Sequence, residues 1–143
     1  MTDTTTETRS VTVEREIAYP AEKIWRALTQ PHLIQEWLMR NDDFAPVVGH
    51  RFNLSGDWGG VTCEVLIAEP HETLSYTWDY AHDDPAYALK SVVTLTLIPT
   101  GAGTLLRMEQ VGFRPDQKQA FNGAKYGWAE HLANLEKAVA RLD

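Results

Sequence analysis

The stretch PDQKQAFNGAKYGWAEHLANLEKAVARL, residues 115–142, decides how this chain folds. Phe121, Ala124, Trp128, Leu132, Leu135, Val139 and Leu142 recur at intervals of three and four, which on an α-helix makes one apolar stripe. Lys118, Lys125, Glu130, Glu136 and Lys137 fall on the opposite side. Asp116, with Gln119 three residues later, predicts an N-cap and a capping-box-like start. Gly123 and Gly127 interrupt the pattern, and each costs a helix about 1 kcal/mol relative to alanine. Either they permit a close helix-to-sheet approach or a bend over a cavity, or they serve close packing with no ligand involved. A helix with so long an apolar stripe has to lie on something, and the rest of the chain supplies a sheet.

Working back from the helix, Leu89–Pro99 and Thr104–Phe113 read as the arms of a hairpin around Thr100-Gly101-Ala102-Gly103. Arg107 and Glu109 mark its solvent side, so Leu106, Met108 and Gln110 should face inward. Before it, residues 79–87 read as a polar loop, Leu74, Tyr76 and Trp78 share one face of a strand, and Glu69-Pro70-His71-Glu72 is a turn. Val61, Cys63, Val65 and Ile67 alternate in another strand, and Phe52 and Leu54 in a further one, with Gly56-Asp57-Trp58-Gly59-Gly60 between them. Residues 41–49 carry turn chemistry and are expected to be a loop. Two short helices precede it: one from Pro20 with Ile24, Trp25 and Leu28 as its apolar side, stopped by Pro31, and one over residues 32–38. The first strand, residues 11–19, places Val11, Val13, Arg15 and Ile17 on one face. The expectation is an α+β fold: a six-stranded curved antiparallel sheet gripping a long C-terminal helix, with two short helices after the first strand. Residues 1–9 read as a disordered tail and 10–143 as a single domain.

The composition narrows the function classes. At 143 residues, a chain buries roughly 68–70% of its unfolded surface, enough for one real core. The 5 Trp, 5 Tyr and 4 Phe are a generous aromatic supply that must be housed somewhere. A net charge of −7 without basic patches opposes phosphate backbones and anionic lipid, so neither nucleic acid nor a membrane is an expected partner. The single Cys63 excludes an internal disulfide framework, and with no signal-peptide pattern the expected location is cytoplasmic. His82-Asp83-Asp84, near Asp79, has no recognised ligand spacing and reads as a solvated turn, so no metal is expected. No Gly-x-Ser-x-Gly elbow, phosphate loop or His-Glu-x-x-His pair is present, which leaves no catalytic constellation and no cofactor to propose.

Several segments together resemble one family. They are Val13-Glu14-Arg15-Glu16-Ile17 leading into Ala21-Glu22-Lys23-Ile24-Trp25-Arg26-Ala27-Leu28-Thr29, then residues 31–37, Gly112-Phe113, and Gly127-Trp128 with Leu132 and Leu135. They are similar to the START-like, or SRPBCC, helix-grip superfamily, and within it to the proteins like the heat-shock protein 90 ATPase activator. The resemblance implies an internal apolar cavity between sheet and helix that binds lipids, polyketides, aromatic compounds or other apolar molecules. It does not name the occupant, because one fold hosts many functions. The eukaryotic co-chaperone carries an additional N-terminal domain that this sequence lacks, so regulation of a chaperone ATPase is not expected.

Within that expectation, Trp37, Phe52, Cys63, Tyr76, Trp78 and Leu95 are candidate ligand-binding residues. So are Met108, Gln110, Tyr126, Trp128, His131 and Leu132, and Gln110, Arg15 and Tyr126 could orient a ligand. Buried rings also pack simply as core, so each residue alone has that second reading. The leading function is binding of a small hydrophobic molecule by a carrier or sensor, monomeric or homodimeric. One alternative is a cyclase- or hydrolase-type enzyme polarising its substrate with Arg15, Gln110 or His131; another is a chaperone-linked protein-interaction module.

Overall fold

The computed structural model describes residues 9–57, 59–85 and 87–142. In chain order these form β1 (Arg9–Ile17), α1 (Ala21–Thr29), α2 (Pro31–Trp37), β2 (Arg40–Asn41) and β3 (Arg51–Gly56). Then follow β4 (Gly59–Glu69), β5 (Thr73–Tyr80), β6 (Leu89–Pro99), β7 (Thr104–Phe113) and α3 (Lys118–Ala140). The strands make one sheet in the order β1-β7-β6-β5-β4-β3-β2, antiparallel at every pairing. The first strand thus closes against the last, and α3 lies against β1 and β7 with α1 and α2 packed on it.

The sheet has seven strands among the described residues, not six. The extra one, β2, is two residues long, too short for any alternation to betray it, and its second residue, Asn41, falls in the segment expected to be a loop. It is pinned from outside its own backbone: Asp42 accepts the Asn53 backbone N–H at 2.5 Å and the Asn53 side-chain amide at 2.9 Å. The first strand starts at Arg9, which pairs with Phe113, so the expected tail loses its last residue; residues 1–8 lie outside the described chain. Trp58, placed in a turn by the sequence, also lies outside it.

The inward phase of the hairpin is as the alternation requires, with Leu106, Met108 and Gln110 buried and Arg107 paired to Glu14 across the outer face at 2.6 Å. At the end of β7 a bulge breaks the alternation: Arg9 pairs with Phe113 and Ser10 with Val111, leaving Gly112 as the extra residue. Gly112 sits at φ +132 with its α-carbon so close to the Lys90 carbonyl that no Cβ would fit. The consequence is a change of phase. Val111 stays exposed while Phe113, which strict alternation would turn out, is 1% exposed.

The helix α3 starts one turn chemistry away from expectation. Its N-cap is Gln117, and Asp116 instead forms an ion pair with Arg114 at 3.4 Å. The Gln117 side chain is spent on tertiary bonds, accepting the Arg114 backbone N–H at 2.9 Å and donating to the Ala88 carbonyl at 2.7 Å. From there the stripe behaves as read: Trp128, Leu132, Leu135 and Val139 are buried. Arg15, on the inner face of β1, reaches α3 and donates to Glu136 from Nε at 2.9 Å and Nη2 at 2.7 Å. Among the described residues no helix is long and apolar enough to cross a membrane.

Candidate functional site

Each strand contributes a row of inward residues, and the rows are filled differently at their two ends. Toward one end, Leu74, Leu95, Leu106, Leu132, Leu135 and Val139 are fully packed. At the other, the last inward residues of β5 and β7 and the first of β4 and β6 border open space: Trp78, Tyr80, Gln110, Phe113, Val61 and Leu89. The α2–β2 junction, the end of β3, the β5–β6 loop and the N-terminal half of α3 complete a pocket of about 990 Å³. It opens to solvent. The sequence led to an enclosed internal chamber, whereas the space described here is an open-mouthed pocket at one end of the sheet.

Its floor is a pair of indoles, Trp78 and Trp128, with ring centres 5.3 Å apart. Behind them runs a closed chain of hydrogen bonds. The Trp128 indole N–H donates to Gln110 Oε1 at 2.8 Å, and Gln110 Nε2 donates to Ser91 Oγ at 3.0 Å. The Ser91 hydroxyl donates in turn to the Trp78 carbonyl at 2.7 Å. Burying an indole N–H and an amide without partners would cost about 1–3 kcal/mol for each group, so this chain is what lets a polar residue sit at 2% exposure in β7.

His131 stands one turn along α3, its ring edge-on to Trp128 with centres 5.5 Å apart, and Nδ1 lies 3.3 Å from the Trp37 carbonyl. A carbonyl can only accept, so Nδ1 carries the proton. Burial holds the His131 pKa below the ordinary histidine value, against smaller opposing effects of the Trp37 carbonyl and Glu130.

One wall of the pocket is almost bare. Ala120, Gly123, Ala124 and Gly127 face it from α3, and a Cβ added at Gly123 or Gly127 would meet nothing within 4 Å beyond its chain neighbours and the helix's own backbone. Close packing therefore accounts for neither glycine. The opposite rim is the loop after β5, where the His82 and Tyr87 rings meet at a tilt of 55° with centres 5.2 Å apart. That loop is fastened to the start of α3, since Arg114 donates to the Pro85 carbonyl at 2.5 Å and Gln117 to the Ala88 carbonyl. His82 Nδ1 accepts the Asp84 backbone N–H at 3.0 Å, a bond internal to the turn.

Of the residues singled out from the sequence, the structure brings Trp78, Gln110, Trp128 and His131 together on the pocket. Trp37, Phe52, Cys63, Tyr76, Leu95, Met108 and Leu132 are buried in the packed core instead. Trp37 ties α1 to α2 by donating to the Ala27 carbonyl at 2.8 Å. Phe52 and Tyr76 meet edge to face at 5.3 Å, with Phe44 against Phe52 at 4.8 Å. Burial pushes the Cys63 thiol up to about 12 and the Tyr76 hydroxyl higher still, so neither ionises in the physiological range. Tyr126 is 81% exposed, on the side of α3 away from the sheet, and Arg15 is committed to Glu136. Missing from the sequence reading were Leu38, Met39, Arg40, Tyr80, Tyr87 and Phe113. Alternation tells which face a residue takes but not where along the strand the packing stops.

Comparison with known proteins places this geometry in context. The family model described as activator of Hsp90 ATPase homolog 1-like protein matches residues 18–140. Protein MLL2253 from Mesorhizobium loti is 63% identical, with a TM-score of 0.90 over 94% of this chain and 99% of that one. CalU16 from Micromonospora echinospora is 26% identical, with a TM-score of 0.75 over 94% of this chain and 78% of its own. DynU16, from the dynemicin biosynthetic locus, shares the fold at 21% identity, with a TM-score of 0.78 over 92% of this chain and 47% of that one. No curated protein matches the chain.

Proposed function

The chain belongs to the family of activator of Hsp90 ATPase homolog 1-like proteins, and on that footing we propose that it binds a small hydrophobic or aromatic molecule between the sheet and α3, as a carrier or sensor. The observation that carries this reading is the bare wall of α3. Two glycines weaken that helix by about 2 kcal/mol together relative to alanine, and no neighbour fills the space their side chains would take. What glycine provides there is room. The volume of about 990 Å³ is of ligand size, and the lining from Leu38, Val61, Leu89 and Phe113 is apolar over an aromatic floor. An apolar occupant would gain about 25 cal/mol for each Å² withdrawn from water, before the costs of association.

The test is to remove the room without harming the helix. Wild type and Gly127→Leu are titrated with the neutral fluorescent probe N-phenylnaphthylamine, and both are melted in parallel. The expected result is saturable binding to wild type, and a variant that melts no lower yet has lost the probe. Equal binding by both proteins would show that the pocket is not the binding site.

A further inference from the structure

Among the polar groups at the pocket floor, the Trp128 N–H and the Gln110 amide are already engaged with each other and with Ser91. They have little left to offer a ligand. His131 is different. With its proton on Nδ1 and directed at the Trp37 carbonyl, the lone pair of the neutral ring is on Nε2. No buried side-chain nitrogen or oxygen among the described residues lacks a partner, and Nε2 makes no hydrogen bond to any of the described residues, so open space reaches it. That space is the pocket His131 lines.

The geometry points to His131 Nε2 as the acceptor for a hydroxyl group on the bound molecule, and so to a planar phenolic compound as the ligand class; this rests on the pocket reading above. The ring would lie beside Trp78 and Trp128, whose indoles, tilted at 56° to each other, border the pocket and offer an aromatic partner edge or face contact. A carboxylate in the same place would meet the imidazole lone pair, and burial opposes the protonation that would make His131 welcome it. A hydroxyl donor faces no such opposition.

The experiment compares naphthol with its methyl ether, which differ in the donated proton and share the ring. Affinities are measured by fluorescence for wild type, His131→Leu, His131→Phe and His131→Gln, with the fold of each checked by circular dichroism. Wild type should prefer naphthol by about two- to tenfold, the worth of one hydrogen bond. His131→Leu and His131→Phe should lose that preference while still binding the ether, and His131→Gln, whose amide oxygen can take the place of Nε2, should keep part of it. Either apolar variant suffices if the other does not fold. If wild type binds both probes alike, or the preference survives in the apolar variants, the inference is overturned and the pocket reading stands. If neither probe binds wild type, the pocket reading falls and takes the inference with it.

Discussion

At the scale of single residues, His131 and Gln110 are where the pocket touches the stability of the fold. Because burial lowers the His131 pKa, the folded protein resists a proton that the unfolded chain accepts below about pH 6.5. The unfolded state then binds more protons, so stability is fully present above that pH and falls as the pH drops toward the folded value. Denaturant titrations at about pH 7 and about pH 5 should show wild type losing more stability than His131→Gln over that interval. The remaining titratable groups, including Arg40, Asp57, Tyr80, His82 and Tyr87 around the pocket, are common to both proteins, so the difference isolates this ring. Parallel losses would remove the argument. Gln110 carries a different burden, since Gln110→Leu leaves the Trp128 N–H without its acceptor. That variant should be destabilised by about 1–3 kcal/mol at every pH, read from the denaturation midpoint.

At the scale of elements, α3 joins opposing demands in one helix. Its second half is held by Leu132, Leu135 and Val139, buried against the sheet, while its first half carries two glycines with nothing packed on them. Gly123→Ala and Gly127→Ala should therefore each raise stability by about 1 kcal/mol, seen as a higher melting temperature, because the helix gains and no neighbour is struck. A loss on either substitution would mean that the backbone there is not an ordinary helix. The element scale is also where the sequence was most legible. The stripe of α3 and the inward phase of Leu106, Met108 and Gln110 follow from periodicities that a few neighbouring residues settle. What escaped had no period to read. Two-residue β2 depends on Asp42 bonding to Asn53 eleven positions away, and the Phe113 phase depends on a bulge set by the Lys90 carbonyl on the neighbouring strand. The N-cap moved for the same reason, since Gln117 answers to Ala88 across the fold.

At the scale of the whole molecule, the fold is packed at one end and open at the other, and this gradient explains why the candidate site was only partly legible. Trp78 and Leu74 are equivalent by alternation, both inward on β5, yet one borders the pocket and the other is sealed in the core. The difference comes from what stands opposite: the bare first half of α3 over Trp78, and apolar packing around Leu74. Local opening draws on the number of buried apolar contacts that must be broken, so the two ends should open at different free energies. Hydrogen exchange can read this directly, because α3 spans both. Amides over residues 119–127 should exchange well before those over residues 132–139 in the free protein, although both lie in one continuous helix. A saturating apolar probe binds the folded state and adds its binding free energy to whatever opening destroys the site. Its protection should accordingly concentrate on residues 119–127 and on the strand ends bearing Trp78 and Leu89, narrowing the gap between the halves of α3. Uniform exchange along the helix in the free protein, or protection spread evenly by the probe, would mean that the pocket end and the core end open as one unit, and that the empty wall of α3 confers no separate flexibility.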